Sequence, residues 1–338
     1  MSESVTTVNG MRAAVMPKIE LHVHLEGTIR AHTLLEIARR NDLPLPAQTV
    51  EGLEELYRFR DFEHFIDTWI LTTNVLRTDD DFRQVVVDYA AEAASHGAVY
   101  LEAIFSPAER VARGVRWEDI FSGYCDGVQQ ALEDHGVTVR LTPDIYRGAP
   151  AEDACEVARW AVRYNDRGVV GLGLGGREAE FPAEPYARAF AIACEAGLGS
   201  VPHAGEAAGA ESVRAALDVL CARRIRHGIR AIEDAGLVRE LADRRVVLDV
   251  CLTSNLRTGV VASLMEHPLP LLVGAGVACS VSTDDPAMFD TDLSREYQVL
   301  EGLGVGSDAA YRAGVLGALC DDATRHALEL LPVTHNSP

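Results

Sequence analysis

The sequence predicts an α/β protein: a (β/α)8 barrel of the TIM type, with a helical lid inserted after strand 1. Three observations predict it. Short apolar runs alternate with longer amphipathic ones along the chain, the pattern of parallel strands joined by helical crossovers. Eight such runs can be counted, which is the number a closed barrel of this kind requires. The chain has 338 residues, within the range that an α/β barrel occupies as one unit. An open, doubly wound sheet fits less well, because no G-x-G-x-x-G opens a helix after the first strand.

Strand 1 is expected at 19–25, where I-E-L-H-V-H-L holds His22 and His24 two apart. Alternation with period two puts both imidazoles on one side of the backbone, so both can enter one coordination sphere. A lone H-x-H is equally a strand whose histidines face a polar loop. The interval 30–95 that follows is the longest in the chain and contains an L-P-L-P turn. Its aromatics Phe59, Phe62, Phe65 and Trp69 recur at three- and four-residue steps, as on one face of a helix. Such a face packs on the barrel by default. An insertion at this point also sits on the catalytic side, so Phe59 and Phe62 are expected to wall a pocket as part of a lid.

The remaining strands are expected at 98–105, 139–146, 169–176, 198–205, 224–229, 246–254 and 278–286, with helices such as 151–163, 184–196 and 259–275 between them. Strand 4 carries Gly171, Gly173, Gly175 and Gly176, read as room for a flat ring to approach the backbone. The expected organisation is one domain over 17–331, a flexible segment over 1–16 and a tail over 332–338.

A formal net charge of −20 argues against nucleic acid or an anionic membrane as partner. The seven cysteines are dispersed without a C-x-x-C pair, which points to reduced thiols and a cytoplasmic setting. The N-terminus lacks the basic and apolar regions of a signal peptide, and no uncharged run approaches the ~20 residues of a membrane span. The expected partner is therefore a small molecule. Nothing in the sequence specifies an oligomeric state.

Barrel chemistry is sited at the C-terminal ends of the strands. Strand 1 ends in His22, His24 and Glu26, strand 5 in His203-Ala204-Gly205-Glu206, strand 6 carries His227, and strand 8 ends in Asp284-Asp285-Pro286. Each has a bland account taken singly: a core histidine, a helix cap, a turn. Their joint arrival at strand ends of one face is harder to explain that way. Three histidines and a carboxylate suit Zn²⁺ or Fe²⁺, with an open position for a water whose pKa the ion lowers toward ~7. Glu206 and His227 stand close by as proton donor or acceptor.

The motifs H-V-H-L-E-G, H-A-G-E, R-H-G, C-L-T-S-N and S-T-D-D-P, in this order, resemble the adenosine/adenine deaminase family of the amidohydrolase superfamily. The resemblance implies a barrel with one catalytic zinc, hydrolysing the exocyclic amine of a 6-aminopurine to ammonia. It implies His22, His24, His203 and Asp284 as metal ligands, Asp284 thereby belonging to the catalytic set as well. Glu206 would protonate the purine at N1, and His227 would orient the attacking hydroxide and assist its deprotonation. Asp285 would hydrogen-bond N7, with the Gly176 backbone on the other side of the ring. A protonated Asp285 could donate to N7; an ionised one could not.

Several departures bear on the substrate. Glu26 stands where adenosine enzymes of the family usually have an Asp, and the expected strand 4 lacks the Asp common in them. Both look nearer to the adenine and aminofutalosine members, although H-x-H-L-E-G speaks against the aminofutalosine branch. Adenosine, adenine and a 5′-modified adenine nucleoside all stay open. Arg226 replaces a usual Gly, Leu252 a usual Pro and Ser282 a frequent Asn. Alternation puts Arg226 opposite His227, so it is expected to point out of the barrel. Two other readings compete: another mononuclear amidohydrolase, or a purine-binding barrel without turnover. A lysine-bridged two-metal site is excluded, because Lys18 is the only lysine.

Overall fold

The computed structural model describes residues 16–58 and 62–333, the side chains of 62–67 excepted. The expected flexible segment 1–16 lies almost wholly outside the described residues, as does most of the expected tail 332–338. Phe59 and the side chains of Phe62 and Phe65 lie outside them as well.

The described residues form an α/β fold in which every strand pairing is parallel. The strands are β1 (Lys18–His24), β2 (Ala98–Phe105), β3 (Thr138–Tyr146), β4 (Gly171–Gly175), β5 (Gly199–Ser200), β6 (His203–Ala204), β7 (Arg224–His227), β8 (Val247–Val250) and β9 (Cys279–Val281). β1 to β5 make one sheet in chain order and β6 to β9 a second. The strand expected over 198–205 is thus divided, because Pro202 has no N–H to give to a ladder. Val201 N donates to Leu172 O in the first sheet, while Pro202 O accepts from Arg226 N in the second. At the far edges Val23 bridges Asp284, with His24 N donating to Asp284 O (2.8 Å) and Asp284 N to His22 O (3.1 Å). The Ser282 hydroxyl accepts from Leu21 N and His22 N, each at 3.1 Å, so this departure from the family pattern ties β1 to the end of β9.

Three strands stop earlier than their apolar runs. β7 ends at His227, where a φ of 60° and then Gly228 turn the chain. The run expected over 246–254 yields to a helix at Leu252–Arg257, whose first N–H groups are taken by the Glu296 carboxylate. A Pro at 252 would have no N–H to give it. β9 ends at Val281, and Asp284 beyond it has a φ of 65°.

Helices cover the strands. Ala151–Arg163 matches its expected bounds, and the expected 184–196 and 259–275 contain Ala187–Glu195 and Leu269–Gly274. Asp79–Ser95 begins on a capping box between Thr78 and Asp81. It lies directly on Trp117–His135, where a Cβ at Gly123 would come 2.3 Å from the Asp79 carbonyl oxygen. Among the described residues no helix is long and apolar enough to cross a membrane.

Candidate metal centre and active site

At the C-terminal ends of the strands, His22, His24, His203 and Asp284 bring one ligand atom each within 4.8 Å of one another. Asp284 Oδ1 lies 3.2 Å from His22 Nε2 and 3.4 Å from His24 Nε2, and the Nε2 atoms of His24 and His203 are 3.2 Å apart. The opposite ring nitrogens say which atoms carry protons. His203 Nδ1 faces Leu174 O at 3.0 Å and His22 Nδ1 faces Asp249 O at 3.4 Å. A carbonyl only accepts, so these protons sit on Nδ1 and both Nε2 atoms keep their lone pairs. His22 Nε2 is buried without a hydrogen-bond partner. Converging lone pairs beside a carboxylate repel one another unless a cation lies between them, so the donor set fits a divalent metal that accepts imidazole and carboxylate.

The electrostatics agree. Burial lowers the pKa of His22 and His24, the latter to about 4, which keeps both rings neutral and able to ligate. Burial works to raise Asp284, but the imidazoles of His22, His227 and His24 outweigh it and hold the carboxyl well below its usual range. Its other oxygen accepts from Ser254 Oγ at 2.6 Å. Asp284 and His227 both adopt the left-handed conformation that non-glycine residues rarely take. Such strain persists where the surroundings over-determine it, as at active sites.

Glu206 and His227 stand beside this set. His227 Nε2 lies 3.5 Å from Glu206 Oε2 and 3.8 Å from Asp284 Oδ2. The Glu206 side chain is 22% exposed, and desolvation raises its pKa. Asp285 lies against Gly27, where a Cβ would come 2.0 Å from its Oδ1, and that oxygen is buried and unpartnered. Burial first, and Asp284 second, push Asp285 well above the usual carboxylate range. Gly176 is exposed just past the end of β4, with a φ of 104°. Glu26 is buried away from the metal set; its Oε1 accepts from Ser106 N at 2.9 Å and its Oε2 has no partner. Of the lid aromatics only Trp69 has a described side chain, and its ring stands edge-on to His24 at 6.4 Å between centroids.

Two expectations are corrected. Arg226 does not point out of the barrel: it is fully buried, paired with Asp144 and donating to Thr142 Oγ1 at 2.6 Å. The alternation argument failed because His227 has a positive φ, which breaks the period at the residue used to set it. Nor is the room beside β4 open to a flat ring at Gly173. A Cβ there would fall 2.0 Å from Asp144 Oδ1 and 2.3 Å from Arg226 Nη1, so the buried ion pair fills the space. The missing Asp on β4 and the extra Arg on β7 are therefore one feature, since Asp144 of β3 supplies the carboxylate. Arg226 spends its charge on that pair and not on an acidic ligand.

Other residues of the site escaped the sequence reading. Glu178 accepts from the backbone N–H groups of Gly205, Glu206, Ala207 and Ala208 and from Ser212 Oγ, pinning the loop that carries Glu206. No local signal marks it. Ser254 and Asn255 stand in C-L-T-S-N, a motif that located them without assigning them a contact.

A family model described as adenosine deaminase matches residues 17–329. An aminodeoxyfutalosine deaminase of Acidothermus cellulolyticus is 56% identical over 320 residues, covering 93% of this chain and 90% of that protein. The crystal structure of an adenine deaminase from Arthrobacter aurescens matches with a TM-score of 0.85 and 32% identity, over 93% of this chain and 97% of that one. The crystal structure of an amidohydrolase from Burkholderia ambifaria with bound zinc matches with a TM-score of 0.84 and 26% identity, over 94% of this chain and 89% of that one. With an aminodeoxyfutalosine deaminase this similar, the first-strand argument against the aminofutalosine branch does not hold.

Proposed function

Since the chain belongs to the adenosine deaminase family, we propose that it hydrolyses the exocyclic amine of a 6-aminopurine to the 6-oxopurine and ammonia, and that its substrate is a 5′-modified adenine nucleoside of the aminodeoxyfutalosine type. The observation that carries the chemistry is the convergence of His22, His24, His203 and Asp284 with Glu206 and His227 alongside. Those four residues would hold one zinc ion, or iron(II) in its place, which when bound supplies a Lewis acid that lowers the pKa of water toward neutrality. The 56% identity to the relative from Acidothermus cellulolyticus supports the nucleoside.

Glu206, with its raised pKa, is a carboxylic acid placed to protonate N1, which makes C6 electrophilic as water adds. Asp285, kept protonated, donates to N7 while the Gly176 backbone meets the other side of the ring. Glu26 Oε2 is a buried acceptor that a ribose hydroxyl would satisfy. The N–H at N9 of free adenine would satisfy it equally, and with the likeness to the Arthrobacter aurescens adenine deaminase this favours adenine as the second reading.

The two sheets in this reading close into one eight-stranded barrel, supported by the two-residue step from β5 to β6 and the bridge from Val23 to Asp284. The helix Phe62–Asn74 acts as the lid, supported by the contact of Trp69 with His24. Seven cysteines with no disulfide partner suit the cytoplasm.

An ammonia-release screen over aminodeoxyfutalosine, adenine and adenosine, on zinc-replete protein, tests the proposal. The nucleoside with the modified 5′ end should turn over fastest, and Glu206→Gln should keep its zinc while losing ~10²–10⁴-fold in kcat. Ammonia from none of the purines, or normal turnover by Glu206→Gln, would sink it.

A further inference from the structure

A run of hydrogen bonds leads from a backbone amide to the ring of His227, and every link has a direction. Leu269 N donates to His267 Nδ1 at 3.1 Å. Pro268 before it has no N–H, so Leu269 supplies the first free donor of the helix Leu269–Gly274. A backbone N–H can only donate, which makes His267 Nδ1 the acceptor. Burial lowers the pKa of His267 to about 4, so the ring is neutral at working pH and carries its single proton on Nε2. That N–H meets Asn255 Oδ1 at 3.2 Å. The Asn255 amide is thereby oriented, and its Nδ2 points at His227 Nδ1, 3.2 Å away.

We propose that Asn255 and His267 are positioning residues that lock His227 as its Nε2–H tautomer, so that His227 is a fixed hydrogen-bond donor to the reacting oxygen and not a base. The inference rests on the deaminase reading for what the donor serves, but the lock itself does not. Nδ1 of His227 is occupied in accepting from Asn255, so a neutral ring has no lone pair free at Nε2. That N–H looks toward Glu206 and Asp284. A donor there stabilises charge on the attacking oxygen, in the manner of an oxyanion hole.

The proton balance then falls to a carboxyl group. Glu206 gives its proton to N1 and becomes a carboxylate. As the water oxygen bonds C6, Glu206 takes the proton that this water loses. It passes the proton to the amine, the C6–N bond breaks with its electron pair leaving on nitrogen, and the remaining hydroxyl hydrogen completes ammonia as C6=O forms. His227 keeps its own proton throughout.

Long-range ¹H–¹⁵N NMR of histidine-labelled, zinc-loaded protein, at a pH well above the usual imidazole range, reads the lock directly. His227 should show a protonated Nε2 and an unprotonated Nδ1. The reverse pattern overturns the proposal whatever the enzyme turns over, so it fails separately from the substrate assignment. His267→Ala frees the Asn255 amide to turn, and should give mixed His227 nitrogen signals and a kcat lower by about 10–100-fold at unchanged KM. His267→Gln, whose amide N–H still meets Asn255 Oδ1, should restore both signals and kcat to within about tenfold of the original. Unchanged His227 signals in His267→Ala, or equal losses in the Ala and Gln variants, would show a merely structural histidine.

Discussion

Asp284 and Asp285 are neighbours in sequence with opposite protonation. Asp284 faces imidazoles that favour its anion, whereas Asp285 is pressed against Gly27 with a buried, unpartnered oxygen and the Asp284 charge beside it. Two carboxyls this close do not ionise together, and the one without cationic neighbours keeps its proton. Asp285→Asn, which preserves an N–H donor, should therefore retain activity within about tenfold, while Asp285→Ala loses ~10²-fold or more. Steady-state kinetics on the two variants decide it: equal losses would show that no proton at this position is used. At this scale the ligands were legible because each sits in a short motif at a strand end, and the structure brings all four together. Arg226 was misread because the period-two rule assumes extended backbone, and His227 next to it is left-handed. Asp144 was invisible for a different reason, since its partner lies on another strand far along the chain.

The loop after β6 is the element on which the proton donor depends. Four successive N–H groups converge on the Glu178 carboxylate, and although burial works to raise its pKa, Ser212 and those N–H groups hold it low. Glu178→Ala leaves the four donors without their acceptor and should cost kcat about 10–100-fold with zinc content unchanged. A variant with native kcat would mean the loop holds itself. The short helix at Leu269–Gly274 yields a pH dependence through His267. Burial depresses this imidazole from its model value of 6.5 to about 4. A depressed histidine stabilises the fold fully above its unfolded pKa, and the contribution is lost as pH falls through that value toward the folded one. Between about pH 6.5 and 4 the parent protein should lose on the order of 3 kcal/mol more than His267→Gln does. Urea titrations of both proteins across that window measure the difference; parallel acid limbs would rule out a neutral buried ring. Strand order and type were readable from alternating apolar runs, but strand ends were not. Apolar sequence continues past β7, β8 and β9 because the first turns of the site loops are buried too.

For the molecule as a whole, the metal set straddles two sheets: His22 and His24 come from β1, His203 from β6, and Asp284 follows β9. Geometry at such a site is only as firm as the join between the sheets, and beneath it lies one fully buried guanidinium. Arg224 of β7 meets Glu102 of β2 at 2.7 Å, Asp249 of β8 at 2.5 Å, the Leu21 carbonyl of β1 at 3.1 Å and the Gly317 carbonyl at 2.7 Å. Composition could not reveal this, since an arginine in a strand reads as surface. A buried ion pair is weak evidence of net stability, because desolving its charges offsets most of their attraction. Removing one partner is another matter, for it strands the others in a medium that cannot solvate them. Arg224→Met leaves Glu102 and Asp249 as buried carboxylates sharing no cation, and should cost about 3–5 kcal/mol in chemical unfolding. Because that loss falls on the join between the sheets, zinc should dissociate at a lower denaturant concentration than in the parent, ahead of or together with global unfolding. A penalty below about 1 kcal/mol would place Arg224 among ordinary surface pairs, and the site would then owe its rigidity to the strand ladders alone.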